Sequence, residues 1–284
     1  MKTLYLLLLL ISFIFANDVN IVASTSNLAS IAKAIGKDHV SIDVIVKATQ
    51  NPHYIEILPS YMLKISRADL YLLNGLRLDY WSYQLIDGSR NSDLAILDCS
   101  KGVEVLEVPK TKIDPSKGHI HPEGNPHYDL NPANAAIVAN NIKLELMKLD
   151  PEHSEEYEQN YQSFLKDLET LPKKKDGPAI KILSYHSTWS YLAQYLNLDI
   201  VEKLEPLPGI SPSPSHLNKL IGIIKANEVR FIIQEDFYDH SAAEFLSEQT
   251  GIKIMIASPY AKEVNEKSYV NHIKNLINRI GTFH

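Results

Sequence analysis

The tetrapeptide Asn-Pro-His-Tyr occurs twice in the chain, at Asn51–Tyr54 and at Asn125–Tyr128. A third histidine, His186 in Ser184-Tyr185-His186-Ser187, follows a strand-like run in the second half. Proline fixes its own backbone and holds the residue before it extended, so each Asn-Pro-His is a stiff turn that can aim an imidazole. Three aimed imidazoles could meet on one divalent cation, because neutral imidazole is a favoured ligand of zinc and its neighbours. Spacing alone leaves this open against the alternative of three ordinary surface or hydrogen-bonded histidines.

The elements around these residues must bring them together. Val19–Ser24, Val40–Val46, Leu70–Leu73, Leu94–Leu97 and Val103–Val108 read as strands, with helices over Asn27–Lys37, Pro59–Arg67 and Tyr80–Leu85. Helical spacing resumes from Pro132 to Leu149, and a charged helix with a narrow stripe of Tyr157, Tyr161, Phe164, Leu165 and Leu168 follows. A long helix that is polar on most sides suits a spine between two bodies. The second half restarts the alternation, with strands at Ile180–Leu183, Val229–Ile233 and Ile252–Ile256 and helices over Trp189–Leu196, Ser215–Lys225, Ala242–Thr250 and Tyr269–Ile280. Strands alternating with helices imply parallel sheets. The expected fold is therefore α/β, with two (β/α) lobes, each holding a mostly parallel sheet. The expected boundaries are a signal peptide at 1–16, a first lobe at 17–150, a connecting helix at 151–172 and a second lobe at 173–284. Ligands of open parallel sheets collect at the carboxyl ends of strands. His53, His127 and His186 all fall on that side, which places the expected site in a cleft between the lobes.

Composition narrows the function classes. With 284 residues, 45% hydrophobic and 22% charged, the chain has the make-up of a soluble globular protein. A formal net charge of −6 and the lack of a basic stripe argue against nucleic acid. Met1-Lys2-Thr3, an apolar run from Leu4 to Phe15 and then Ala16 form a secretory signal. The run is shorter than the ~20 residues a bilayer span needs. No cysteine follows it, so the expected product is exported to the periplasm without a lipid anchor or stable membrane insertion. Cys99 is the only cysteine and reads as a buried apolar residue. Residues 109–126 are rich in proline and glycine and form a loop carrying His119 and His121. His39, His153, His216, His240, His272 and His284 sit in polar, helical or capping contexts. The chain contains no His-Glu-x-x-His, no Gly-x-Ser-x-Gly and no phosphate-cradling glycine loop.

Four segments together resemble the substrate-binding proteins of zinc- and manganese-type ABC importers, the cluster A-I metal receptors. They are Asn51–Gly75, with Asn-Pro-His-Tyr-Ile-Glu-Ile-Leu-Pro-Ser and Ala68-Asp69-Leu70; Asn125–Ala136; Ser184–Leu192; and Pro212–Glu235. The resemblance covers nearly the whole mature chain in the right order. It implies two lobes joined by one long rigid helix, with His53, His127 and His186 as metal ligands. Manganese-type members tend to carry glutamate where His186 stands, so the resemblance points to Zn2+. Many members add an aspartate from a Leu-Asp-Pro motif, but this chain has Ala257-Ser258-Pro259 there. The fourth position then falls to water, to Glu235 or to Asp236; Glu235 alternatively orients a histidine. The 118–123 loop, with His119 and His121, corresponds to the variable histidine-rich loop and is expected to capture metal weakly as a second site.

The expected function is thus a monomeric periplasmic Zn2+ receptor, not an enzyme, serving an ABC importer permease. The alternatives are a manganese or iron receptor of the same kind, or a tri-histidine zinc hydrolase with Glu235 as general base.

Overall fold

The computed structural model describes residues 18–110, 121–173 and 176–283. The signal peptide expected at 1–16 and His119 lie outside the described residues, as does His284. The first sheet contains β1 (Val19–Thr25), β2 (Val40–Val46), β3 (Leu70–Leu73) and β4 (Ala95–Asp98), all parallel, in the order β2-β1-β3-β4. The second contains β5 (Ile180–Ser184), β6 (Leu198–Lys203), β7 (Phe231–Glu235) and β8 (Lys253–Ala257), also parallel, in the order β6-β5-β7-β8. The two orders share one pattern, so the lobes are two copies of one winding. Buried strands such as β3, Leu-Tyr-Leu-Leu, are apolar on both faces because helices cover both sides.

The helices are α1 (Ser26–Gly36), α2 (Pro59–Ile65), α3 (Ser82–Ser89), α4 (Pro132–Leu149), α5 (Ser154–Glu169), α6 (Ser190–Leu196), α7 (Pro214–Asn227), α8 (Ser241–Thr250) and α9 (Ser268–Gly281). Their ends follow from local chemistry. Asn131 Oδ1 accepts the Ala133 amide at 3.0 Å ahead of Pro132, and Ser213 Oγ accepts the His216 amide at 3.2 Å ahead of Pro214. Gly251 closes α8 in the left-handed conformation, φ 73°.

Three expectations are corrected. Val103–Val108 forms no strand; β4 ends its sheet without another partner, and this segment crosses toward the second lobe instead. There the Leu106 amide donates to the Tyr191 hydroxyl at 2.9 Å, and Glu107 accepts from Ser190 Oγ at 2.9 Å. Leu198–Lys203, read as no element, is the edge strand β6. The helix expected over 151–172 is shorter: a 3-10 turn at Pro151–His153 precedes α5.

α5 packs on α1 and α4, and its Phe164 ring meets Tyr269 of α9 at 6.0 Å. One continuous apolar core runs from Ile21, Leu28 and Ile35 through Tyr157 and Phe164 to Trp189, Phe231 and Ile273, so it belongs to both lobes. Hydrogen bonds add to it. Asn27 Nδ2 donates to Pro259 O at 3.1 Å, the Ala261 amide donates to Asn27 Oδ1 at 2.9 Å, and Tyr269 donates to Asp129 O at 2.6 Å. Separating the lobes would expose this core at ~25 cal/mol per Å2 of apolar surface, which opposes wide opening.

Candidate metal centre

The two Asn-Pro-His-Tyr copies are built alike. Asn51 Oδ1 accepts the His53 amide at 3.0 Å, and Asn125 Oδ1 accepts the His127 amide at 3.0 Å. Each asparagine therefore makes an Asx turn over its proline, which explains why asparagine stands two residues before each histidine. The proline carbonyls are also held: Trp81 Nε1 donates to Pro52 O at 2.8 Å, and Asn74 Nδ2 donates to Pro126 O at 3.0 Å. Gly124, at φ 104°, turns the chain into the second copy where a Cβ would strike Val105 and the Leu106 carbonyl. The second motif then reaches across the cleft, with Asn125 Nδ2 donating to Ser187 O at 2.8 Å.

His53 follows β2, His127 stands beyond β4 and His186 follows β5, all at carboxyl ends of strands. The fold brings the three together, with one ring nitrogen of each within 4.8 Å of the others. Ring centroids are 5.3 Å apart for His53 and His186, 5.4 Å for His53 and His127 and 5.6 Å for His127 and His186. The rings meet edge to face at 72° to 89°, so their nitrogens converge instead of stacking. Nitrogens bound to one zinc at ~2.0–2.1 Å lie roughly 3.3 Å apart, so small side-chain movements close the gap.

His127 and His186 are each 3% exposed. Burial holds the His127 imidazole well below its ordinary pKa, and the neighbouring His186, His121 and Lys203 push the same way. It is therefore neutral, with a lone pair to give. His186 Nδ1 lies 2.6 Å from Glu205 Oε2, which also accepts the Gly209 amide at 3.3 Å. An ionised carboxylate only accepts, so Nδ1 carries the proton and the lone pair sits on Nε2. Nε2 of His186 and of His127 are buried with no hydrogen-bond partner, which is how a ligand atom awaiting its ion looks.

Glu205 is the site residue the sequence reading missed. It stands two residues past the unread edge strand β6, and it does what was offered to Glu235: it orients a histidine. Glu235, at the end of β7, is fully buried; burial pushes its carboxyl up to about 7, against the opposing pull of His186 and Thr188. It does not join the three-histidine group, nor does Asp236. Ser258, in the place of the aspartate that many members carry, has its hydroxyl engaged by backbone. Its Oγ donates to Ala48 O at 2.7 Å and ties β8 to the loop that carries His53. His121, expected in an outlying capture loop, packs its ring 5.1 Å from that of His53.

Two parallel-sheet lobes with a shared core and a largely buried nitrogen-only cluster between them describe a receptor for a metal ion. A family model for the zinc-uptake complex component A, periplasmic, matches residues 21–282, and the chain belongs to that family. The chain is 26% identical over 248 residues to a metal ABC transporter substrate-binding lipoprotein of Lactococcus lactis, covering 83% of this chain and 77% of that one. It is 24% identical over 275 residues to the high-affinity zinc uptake system protein ZnuA of Bacillus subtilis, covering 91% and 85%. Against a manganese ABC transporter substrate-binding lipoprotein of Streptococcus gordonii it is 26% identical over 284 residues, covering 93% and 88%. A crystal structure of ZnuA shares the fold with a TM-score of 0.80 at 24% identity, over 94% of this chain and 99% of that one. The protein is a substrate-binding component of the metal ABC-transporter type, and the hydrolase alternative is set aside because the family is one of receptors, not enzymes. Among the described residues no helix is long and apolar enough to cross a membrane.

Proposed function

We propose that the protein receives Zn2+ in the periplasm and hands it to an ABC import permease, with His53, His127 and His186 as the ligands. The observation that carries this reading is the convergent trio of imidazoles, two of them buried, with Glu205 fixing the tautomer of His186. A carboxylate hydrogen-bonded to a metal-ligating histidine is the usual outer partner of zinc sites. Three nitrogens without a carboxylate suit zinc better than manganese, which prefers oxygen. The relatives named for manganese make manganese, and iron after it, the competing cargo. His121 is the fourth ligand candidate that position favours, ahead of Glu235, whose carboxyl stands apart from the group. All these ligands come from one chain, which supports a monomeric receptor.

The continuous core and the bonds from Asn27 and Tyr269 favour release by loop movement or small lobe tilts, with α5 as a spine. Crystal structures with and without zinc that differ by a lobe rotation of tens of degrees would refute this. The cargo is tested by competition titration of the purified protein. Zinc is expected to displace bound manganese at equal concentration and to resist the reverse. The opposite order would make the protein a manganese receptor.

A further inference from the structure

A second cluster of metal-binding side chains lies outside the cleft. His39 ends the 3-10 turn Lys37–His39 just before β2, His153 ends the turn before α5, and Glu156 stands in the first turn of α5. One donor atom from each lies within 4.8 Å of the others. The two imidazoles stack face to face, with centroids 3.7 Å apart and planes at 21°. His39 Nε2 is 2.8 Å from Glu156 Oε2. His153 Nδ1 is 2.7 Å from Asp150 Oδ2, which also accepts the Tyr157 hydroxyl at 2.5 Å.

These contacts repeat, on residues unrelated to the cleft, the arrangement around His186. Asp150 accepts a hydrogen bond from Nδ1–H of His153, so Nε2 keeps the lone pair. Tyr157 fixes Asp150 in turn, so the ring that bears this lone pair is oriented before any ion arrives. The two rings are near-parallel, so His39, which Glu156 must release, has to turn out of the stack before one divalent ion can use a lone pair from each ring. The side chains of His39 and His153 are 25% and 20% exposed, and that of Glu156 is 57% exposed, so an ion can reach them from solvent. β2 separates this cluster from the cleft. His39 abuts the start of that strand and His53 follows its end, roughly 20 Å away at ~3.3 Å per residue.

We propose that His39, His153 and Glu156 form a second, solvent-facing site for a borderline divalent cation, Zn2+ or Cu2+, with Asp150 positioning His153. Two imidazole nitrogens and one carboxylate oxygen, with water completing the shell, are a donor set such ions accept. An ion bound there pins the turn at the start of β2 to the start of α5. The site is weaker than the cleft, because Glu156 must release His39 to bind and water competes for an exposed ion.

The test uses the full mature chain in which His53→Ala, His127→Ala and His186→Ala empty the cleft and His119→Ala and His121→Ala empty the loop. Equilibrium dialysis against zinc chloride is expected to leave about one bound zinc per chain, and adding His39→Gln and His153→Gln to abolish it. Zinc is also expected to raise the melting temperature of the first variant and not of the second. No bound zinc in the first variant, or bound zinc that survives in the second, overturns the proposal. Should the cleft-emptied chain fail to fold, crystals of the unaltered protein soaked in zinc decide the matter. An anomalous peak between His39, His153 and Glu156 supports the site, and its absence overturns it. The two sites share no residue, so loss of zinc from the cleft alone would count against the transport reading and leave this one standing.

Discussion

The first lobe carries histidine clusters at both ends of β2, and they are built in opposite ways. In the cleft, His53, His127 and His186 meet edge to face, and His127 and His186 are almost wholly buried. At the far end, His39 and His153 lie flat on one another, partly exposed, with carboxylates already engaged. Edge-to-face packing turns ring nitrogens toward one point, and Nε2 of His127 and of His186 is buried there without a hydrogen-bond partner, while at the far cluster carboxylates already accept from the ring N–H groups. Burial is the second difference. It removes water as a competitor and keeps His127 neutral, so the cleft pays little to bind an ion. The comparison predicts that desolvation and available ring nitrogens, more than histidine count, set affinity.

The largest effect is expected from His127→Ala, which should weaken zinc binding by more than the ~10–100-fold typical of losing an outer partner. Competition against a chelator of known affinity measures it, and a loss no greater than that of His119→Ala with His121→Ala would move the primary site into the loop. Glu205→Gln comes next, at ~10–100-fold, because His186 loses the acceptor that fixes its tautomer. Glu235→Gln should cost less than Glu205→Gln; the reverse ranking would return the orienting role to Glu235. His121→Ala alone is expected to cost less than His127→Ala and more than Glu235→Gln.

Buried titratable groups also make stability depend on pH. His127 in the folded protein has a pKa held below its unfolded value of 6.5, so the unfolded chain binds more protons between the two. The metal-free protein thus loses stability as pH falls below about 6.5, and His272, lowered by burial to about 4, acts in the same direction. Glu235 works oppositely. Its carboxyl is raised from 4.5 to about 7, so its burial costs progressively more as pH rises through that window. Glu235→Gln should therefore stabilise the metal-free protein by an amount that grows between about pH 4.5 and 7 and reaches roughly 3 kcal/mol. Urea unfolding at three pH values reads it, and a pH-independent difference would contradict the assigned cause. The smallest effect is expected at the far cluster. His39→Gln with His153→Gln should leave cleft affinity unchanged, because the substituted side chains lie a strand's length away.

How much of this was legible in the sequence varied with distance along the chain. The Asn-Pro-His turns were readable because the hydrogen bond that makes each one spans two residues. Most strands were readable from apolar runs. β6 was not, because an edge strand mixes Asp199, Glu202 and Lys203 among its apolar residues and leaves one side to solvent. Missing β6 hid Glu205, whose role depends on where that strand ends. Val103–Val108 has the alternation of a strand but runs between the lobes, where Tyr191 and Asn125 satisfy its backbone instead of a ladder.

Local order alone settled which imidazoles are held on stiff turns, where the helices begin and that the sheets are parallel, since these depend on neighbours a few residues apart. Only the packed molecule decided that two of those imidazoles converge with His186, that Glu205 steadies His186, that His121 leans on His53 and that His39 meets His153. Each of those meetings joins side chains far apart in the chain. Sheet order and the shared core fix their positions, and no short stretch of sequence contains that information.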